Sequence, residues 1–131
     1  MSDLKVEHLA LNVAQPVAMA EWYCRNLGMS VHRKGDGPVH MHFLADTTGR
    51  VLLELYTNPP ELVPDYQAMN PLVLHLAFAT PDIRAAHQRL VAAGAAPVGE
   101  ISANPAGDQL AFLRDPWGLT VQLIQRVTPM P

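Results

Sequence analysis

Four polar side chains lie at matching distances along two similar stretches of the chain, and their types are those that bind divalent metal ions. His8 is followed 46 residues later by Glu54, and His75 is followed 47 residues later by Gln122. Glu54 and Gln122 each interrupt an otherwise apolar segment, where an unpaired buried charge would be costly. Two imidazole nitrogens, one carboxylate and one amide oxygen therefore predict a mononuclear metal site. Glu54 is also the candidate catalytic base for moving a proton next to a carbonyl group.

The segments that must position these residues repeat one order of elements. Residues 8–11 read His-Leu-Ala-Leu and residues 75–78 read His-Leu-Ala-Phe, and each apolar run leads into a helical segment that ends at Gly28 or Gly94. Three further β-compatible segments follow in each half, which gives the order βαβββ twice. Because one module of this length cannot bury its own sheet face, the pattern predicts an α+β fold of two tandem βαβββ modules. Their mixed, curved sheets are expected to form half-barrel clefts.

Strand alternation, helical periodicity and turn residues predict the bounds of the elements. Pro16 suits the first turn of the first helix, and Thr80 is the expected N-cap of the second, with Asp82 in its first turn. Within a single domain of residues 1–131, we expect module one at 5–57, a proline-rich linker at 58–71 and module two at 72–126. Predicted strands span residues 5–13, 29–33, 39–45, 51–56, 72–79, 97–101, 109–114 and 119–125.

Alternation along two of these strands adds candidate substrate-contacting residues. His40 and His42 fall on one face of the third strand, and we expect them to face the same cavity as Glu54. The apolar residues of the last strand can face the second helix. This leaves Thr120 beside Gln122 on the opposite, concave face.

Composition excludes several classes of protein. The chain has 131 residues with 49% hydrophobic and 16% charged residues, so it can bury a core and is not disordered. Its net charge of −3 and scattered Lys and Arg residues argue against binding to nucleic acid. Cys24 is the single cysteine, which excludes an intrachain disulfide. With no leader and no long uncharged apolar run, we expect a cytoplasmic protein that does not enter a membrane.

The duplicated pattern resembles a known family. The two His-Leu-Ala segments, Leu53-Glu54-Leu55 and Asp115-Pro116-Trp117-Gly118 are similar to motifs of the vicinal oxygen chelate superfamily. That group includes glyoxalase I, methylmalonyl-CoA epimerase, extradiol dioxygenases, fosfomycin-resistance enzymes and bleomycin-binding proteins. The resemblance covers residues 6–125 and is nearest to glyoxalase I, since Asn58 lies four residues past Glu54, where that enzyme has a glutathione-contacting asparagine.

The resemblance implies one divalent ion per site, Zn, Ni, Mn or Fe, with His8, Glu54, His75 and Gln122 as its ligands. Two positions differ from glyoxalase I: Asn12 replaces an arginine, and Gln122 replaces the usual glutamate. With one carboxylate instead of two, the first shell would carry a net charge of +1, which favours polarisation of a carbonyl group. The expected substrate-binding residues are Asn12, Asn58, His40, His42 and Thr120.

The leading function implied by the resemblance is a metal-dependent enzyme of the glyoxalase I type, a lyase or isomerase acting on a small oxygen-chelating substrate. One alternative is an iron(II) dioxygenase of the same superfamily, because His8, His75 and Glu54 form a set suited to iron. A second alternative is a protein that binds a drug or another small molecule without catalysis. Similar single-chain proteins suggest a homodimer whose sites are shared between subunits.

Overall fold

The computed structural model describes residues 2–130, which form two compact units that divide between Pro64 and Asp65. This boundary lies inside the predicted linker, where the chain makes two short 3-10 helices, Pro60–Leu62 and Tyr66–Ala68. Each unit contains one α-helix and one four-stranded mixed sheet. The predicted fold of two βαβββ modules is confirmed.

The first unit has the sheet order β1-β4-β3-β2, in which β1 and β4 are parallel and the other neighbours are antiparallel. The helix α1 begins with Pro16, as predicted, and packs on the sheet through its buried residues Met19 and Tyr23. It is followed by Gly28 in the left-handed conformation (φ 68°). The elements are β1 Leu9–Asn12, α1 Pro16–Asn26, β2 Ser30–Lys34, β3 His42–Ala45 and β4 Val51–Tyr56.

The second unit has the equivalent order, β5-β8-β7-β6, with β5 and β8 parallel. Its helix α2 buries Ile83 and Leu90 against the sheet. The helix begins two residues later than predicted, because Asp82 and not Thr80 is the N-cap and its carboxylate accepts a hydrogen bond from Ala85 N (3.1 Å). The elements are β5 Leu76–Ala79, α2 Ile83–Ala92, β6 Ala96–Ala103, β7 Gln109–Arg114 and β8 Thr120–Gln125.

The duplication extends to individual hydrogen bonds. Val13 N donates to Tyr56 O (2.8 Å) in the first unit, and Thr80 N donates to Ile124 O (2.9 Å) in the second. In the turns at 46–49 and 115–118, the aspartate Oδ1 accepts a hydrogen bond from the backbone N–H two residues later, at 2.9 Å in each case. These matches fix which residues of the two units are equivalent.

Three predicted strands are shorter by at least three residues in the structure. β1 and β5 begin at Leu9 and Leu76, so His8 and His75 lie just before the strands. β3 begins at His42 because the preceding turn extends further than predicted: Gly35 N donates to Met41 O (2.8 Å), and His40 has φ 50°. A residue with this φ cannot continue a strand.

Candidate metal-binding residues

The first unit brings His8 and Glu54 together. Leu53 and Leu55 of β4 are buried on the face that packs against α1, so alternation directs Glu54 to the opposite face. The imidazole Nε2 of His8 lies 3.5 Å from Oε1 of Glu54. The two side chains are only 28% and 18% exposed, which shields the pair from much of the solvent.

A neighbouring carboxylate orients the His8 ring. Its Nδ1 lies 3.0 Å from Oε1 of Glu7, and because an ionised carboxylate only accepts hydrogen bonds, Nδ1 carries the hydrogen. In the neutral ring Nε2 then presents a lone pair to Glu54. Two facing acceptors repel each other unless a cation, either a proton or a metal ion, lies between them. Two ligand atoms about 2.0–2.2 Å from a tetrahedral zinc ion are about 3.4 Å apart, so the 3.5 Å separation fits a shared metal.

The second unit holds His75 in the same way with a different partner. Its Nδ1 donates to the backbone carbonyl of Pro71 (2.8 Å), which again leaves Nε2 as the lone-pair nitrogen. Metal-binding histidines in proteins usually donate their other ring N–H to a carboxylate or a backbone carbonyl. Glu7 and Pro71 supply these two kinds of acceptor, so each ring has the hydrogen-bond pattern that is usual for a metal-binding histidine.

Two phenylalanines occupy equivalent positions beside His8 and His75. His8 packs edge-on against Phe43 (5.1 Å between ring centroids), and His75 packs edge-on against Phe112 (5.2 Å). Across the sheets, Phe43 is paired with Glu54 and Phe112 with Gln122. Sequence reasoning missed both phenylalanines, as well as Glu7 and Pro71. The sequence signal that could have identified the phenylalanines was an aromatic residue at the same place in the third strand of each module.

The four predicted ligands are therefore divided between the units, two in each. In the first unit His8, just before β1, lies close to Glu54 of β4. In the second unit Gln122 of β8 is paired with Ala77 of β5, the strand that follows His75. Within residues 2–130, no group of three or more His, Cys, Asp or Glu side chains is close enough to hold a metal ion.

Asn12 and Asn58, two predicted substrate-contacting residues, are hydrogen-bonded to each other. The side-chain Nδ2 of Asn12 donates to Pro59 O (2.9 Å), and its Oδ1 accepts from Asn58 N (2.9 Å). Asn12 therefore holds the segment after β4 against the end of β1.

Of the other predicted contact residues, His40 and His42 do not lie beside Glu54 as expected, whereas Thr120 lies on the predicted face. His42 is paired with Leu55 and is 6% exposed, so it lies on the core face, and Phe43 takes the place beside Glu54. His40 is in the turn before β3 and accepts a hydrogen bond from His42 Nδ1 through its backbone carbonyl (2.6 Å). Thr120 shares the face of Gln122 by alternation, but it is buried.

Thr120 is covered by an arginine network. Nη1 of Arg114 donates to Thr120 Oγ1 (3.3 Å) and to Gly118 O (3.0 Å), and the same guanidinium binds Tyr66 O and Met69 O. This network secures the end of β7 to the segment at 66–69, so Thr120 has a structural partner.

The comparison with protein families gives this arrangement a context. Residues 5–123 match the family model described as Glyoxalase/Bleomycin resistance protein/Dioxygenase superfamily, and the chain belongs to this superfamily. A protein described as probable lactoylglutathione lyase from Vibrio cholerae serotype O1 (strain ATCC 39315 / El Tor Inaba N16961) is 30% identical over 131 residues. That match covers 95% of this chain and 93% of the relative.

Solved structures show the same fold. TnmS3, an antibiotic binding protein from Streptomyces sp. CB03234, has a TM-score of 0.72 at 23% identity and covers 95% of this chain and 98% of its own. A glyoxalase/bleomycin resistance protein/dioxygenase family enzyme from Burkholderia phytofirmans PsJN has a TM-score of 0.73 at 15% identity, with coverage of 93% and 98%. No helix within residues 2–130 is long and apolar enough to span a membrane.

Proposed function

We propose that the protein is a metal-dependent enzyme of the glyoxalase I type, a lyase or isomerase acting on a small substrate with a carbonyl or neighbouring oxygen atoms. The observation that carries this proposal is the 3.5 Å approach of His8 Nε2 to Glu54 Oε1, with Nδ1 of the same ring bound to Glu7. The similarity to a probable lactoylglutathione lyase supports the choice of reaction class.

In this proposal His8, Glu54, His75 and Gln122 hold one divalent ion. The ion would stabilise negative charge that develops on a substrate oxygen. Glu54 accepts a proton from the carbon next to the carbonyl group and returns it to the former carbonyl carbon, while the hydroxyl proton of the first carbon passes to the former carbonyl oxygen. Its partly buried position on the sheet limits competition from water for that proton.

Elemental analysis of protein purified without chelator tests the metal site. We expect about one zinc, nickel, manganese or iron per chain, lost in His8→Ala and His75→Ala but kept in His87→Ala. His87 is a half-buried histidine of α2, the helix that packs on the opposite face of the second sheet from Gln122, and serves as the matched control. Iron as the bound element would favour the dioxygenase alternative, which uses the same two histidines and carboxylate. Absence of metal from every sample, with none taken up on addition, would contradict the proposal and favour a small-molecule binding protein.

A second variant tests the role of Glu54. Glu54→Gln keeps an oxygen ligand but removes the base, so metal should be retained while turnover falls by at least about 100-fold. Turnover is assayed by adding hemithioacetals as substrates and measuring the α-hydroxy thioester products, such as lactoylglutathione. Full turnover by Glu54→Gln with bound metal would refute the proton-transfer role.

We further propose that the protein is a homodimer in which module one of one subunit and module two of the partner complete each site. Two donors per unit fall short of the four that a closed shell needs, and two units supply four. Mixing refolded His8→Ala and His75→Ala subunits tests this. Half of the dimers are then mixed and each mixed dimer has one intact site of two, so metal binding should return to about a quarter of the wild-type level. Sites formed within one chain would give no recovery.

A further inference from the structure

The two histidines of the proposed metal site are oriented by very different partners. The Glu7 carboxylate that binds Nδ1 of His8 belongs to a side chain that is 77% exposed. The acceptor for Nδ1 of His75 is the backbone carbonyl of Pro71 (2.8 Å). Because His75 is exposed, water competes for the same N–H, and the carbonyl can orient the ring only if the backbone that carries it is held in place.

A short turn before β5 carries the Pro71 carbonyl. Val73 N donates to Asn70 O (2.9 Å), which closes a turn over residues 70–73 with Pro71 at its second position, where proline is favoured. The side-chain Oδ1 of Asn70 also accepts a hydrogen bond from Leu72 N (2.8 Å). These two bonds fix the shape of the turn, but they do not fix where the turn lies relative to the sheet.

Arg114 of β7 supplies that second restraint. Its Nη2 donates to Met69 O (2.8 Å), and its Nη1 donates to Tyr66 O (3.1 Å). Nη1 also donates to Gly118 O (3.0 Å) and to Thr120 Oγ1 (3.3 Å). The guanidinium is therefore fixed by the turn between β7 and β8, and it holds the segment at 66–69 beside that turn.

The segment that contains the Pro71 carbonyl is thus tied to the sheet at both ends. One end is Met69, held by Arg114, and the other is Leu76, the first residue of β5, which is paired with β8. Pro71 lies two residues after the first of these ties. Loss of the Arg114 bonds would release that end, and the carbonyl would no longer be held opposite Nδ1 of His75.

The duplicated sheets show that this restraint is specific to the second unit. Phe43 and Phe112 occupy equivalent positions, and the residue two places later is Ala45 in β3 and Arg114 in β7. An alanine side chain has no N–H group to donate, so Ala45 cannot hold the chain in this way. Since the first unit forms the same sheet without such bonds, the framework itself does not require the arginine.

We propose that Arg114 is a positioning residue for His75. By holding the segment at 66–69 it keeps the Pro71 carbonyl on Nδ1, which leaves Nε2 as the nitrogen that can bind a metal ion. The metal-binding role of His75 rests on the proposed function, whereas the orientation of its ring does not. Loss of a partner that orients a metal-binding histidine weakens metal binding by about 10–100-fold, so Arg114→Met should weaken it by about tenfold.

Nuclear magnetic resonance of the metal-free protein tests the orientation directly. Long-range ¹H–¹⁵N correlation spectra show which ring nitrogen of a neutral histidine carries the hydrogen, and an isolated side chain in water favours Nε2. In the wild type, prepared with chelator at a pH where the ring is neutral, His75 should carry its hydrogen on Nδ1. Its signals are identified by their absence from His75→Ala.

Arg114→Met keeps the length of the side chain but removes its donors. The fraction of His75 with hydrogen on Nδ1 should fall by at least about twofold, while the signals of His8 stay unchanged. Arg126→Met is the matched control, because this second arginine of the same unit is paired with Asp108 (3.0 Å), and it should leave both histidines unchanged.

Asn70→Ala provides a second test that leaves Arg114 in place. It removes the bond to Leu72 N through a change at an exposed position, so the fold should be kept and the Nδ1–H fraction of His75 should again fall. A wild-type fraction in Arg114→Met, or in Asn70→Ala if Arg114→Met does not fold, would overturn the proposal. An equal fall in Arg126→Met would show a general loosening of the unit and would also overturn it. A fall confined to the Arg114 and Asn70 variants would support it even if elemental analysis finds no metal, in which case only the proposed function fails.

Discussion

Replacing the equivalent turn glycines by alanine should have very different costs in the two units. Gly49 and Gly118 both have the left-handed conformation, with φ 83° and 91°, which costs an alanine about 1–2 kcal/mol. Around Gly49, no heavy atom of the described chain outside the adjoining residues lies within 4 Å of an added Cβ. At Gly118 the new atom would lie 2.9 Å from the backbone nitrogen of Gln67.

The segment around Gln67 cannot move away freely, because Arg114 donates to Tyr66 O (3.1 Å) and to Met69 O (2.8 Å) on either side of it. Forcing an extra methyl group into such a site typically costs a further 1–3 kcal/mol or so. We therefore expect Gly118→Ala to lower the free energy of unfolding by about 3 kcal/mol and Gly49→Ala by about 1 kcal/mol.

Urea unfolding followed by far-ultraviolet circular dichroism, with linear extrapolation to water, gives both values. The difference between the two variants is the informative quantity, since the cost of the left-handed conformation is common to both. Equal destabilisation would refute the conclusion that the turn at 115–118 packs tightly on a segment held by Arg114.

Three other predictions concern the site and its support. Glu7→Gln should weaken metal binding to His8 by about tenfold, as measured by competition with a chromophoric chelator. This is the lower end of the usual effect of removing a hydrogen-bond acceptor from a metal-binding histidine, because the Glu7 side chain is 77% exposed. The hydrogen bond from the backbone N–H of Val127 holds the pKa of the Asp108 carboxyl below its ordinary value of 3.8. The ionised carboxylate therefore stabilises the fold above pH 3.8, and this contribution is lost as the pH falls through the lower pKa of the folded protein. The stability of the wild type and of Asp108→Asn should accordingly converge in acid, as acid-unfolding curves will show. Leu53→Ala should cost about 2–5 kcal/mol and Leu52→Ala less than about 1 kcal/mol in urea unfolding, since Leu53 is 1% exposed and Leu52 37%.

The elements that local chemistry determines could be predicted from the sequence. Pro16 and Gly28 mark the limits of the first helix because their backbone preferences do not depend on distant contacts. Local competition caused two errors. At the second helix Thr80 and Asp82 were both suitable caps, and before β3 the left-handed His40 ended a strand that alternation alone would have continued.

The environment of the candidate ligands could not be predicted in the same way. Whether Phe43 or His42 lies beside Glu54 depends on where β3 begins and on its register with β4, which are set by the whole sheet. The pairing of His75 with the carbonyl of Pro71 depends on the turn that precedes β5, a property of the backbone that residue types do not specify. The identity of the ligands was readable from matching spacing, but the contacts that orient them required coordinates.

The two units share one framework but differ in the chemistry that they carry. The first has two carboxylates around its histidine, Glu7 and Glu54, and the segment after β4 is held down by Asn12. At the equivalent places the second has Leu74 and Gln122, and Ala79 stands where the first has Asn12. Negative charge attracts a cation. The first unit is therefore expected to dominate the affinity for metal, so Glu54→Ala should weaken metal binding more than Gln122→Ala does.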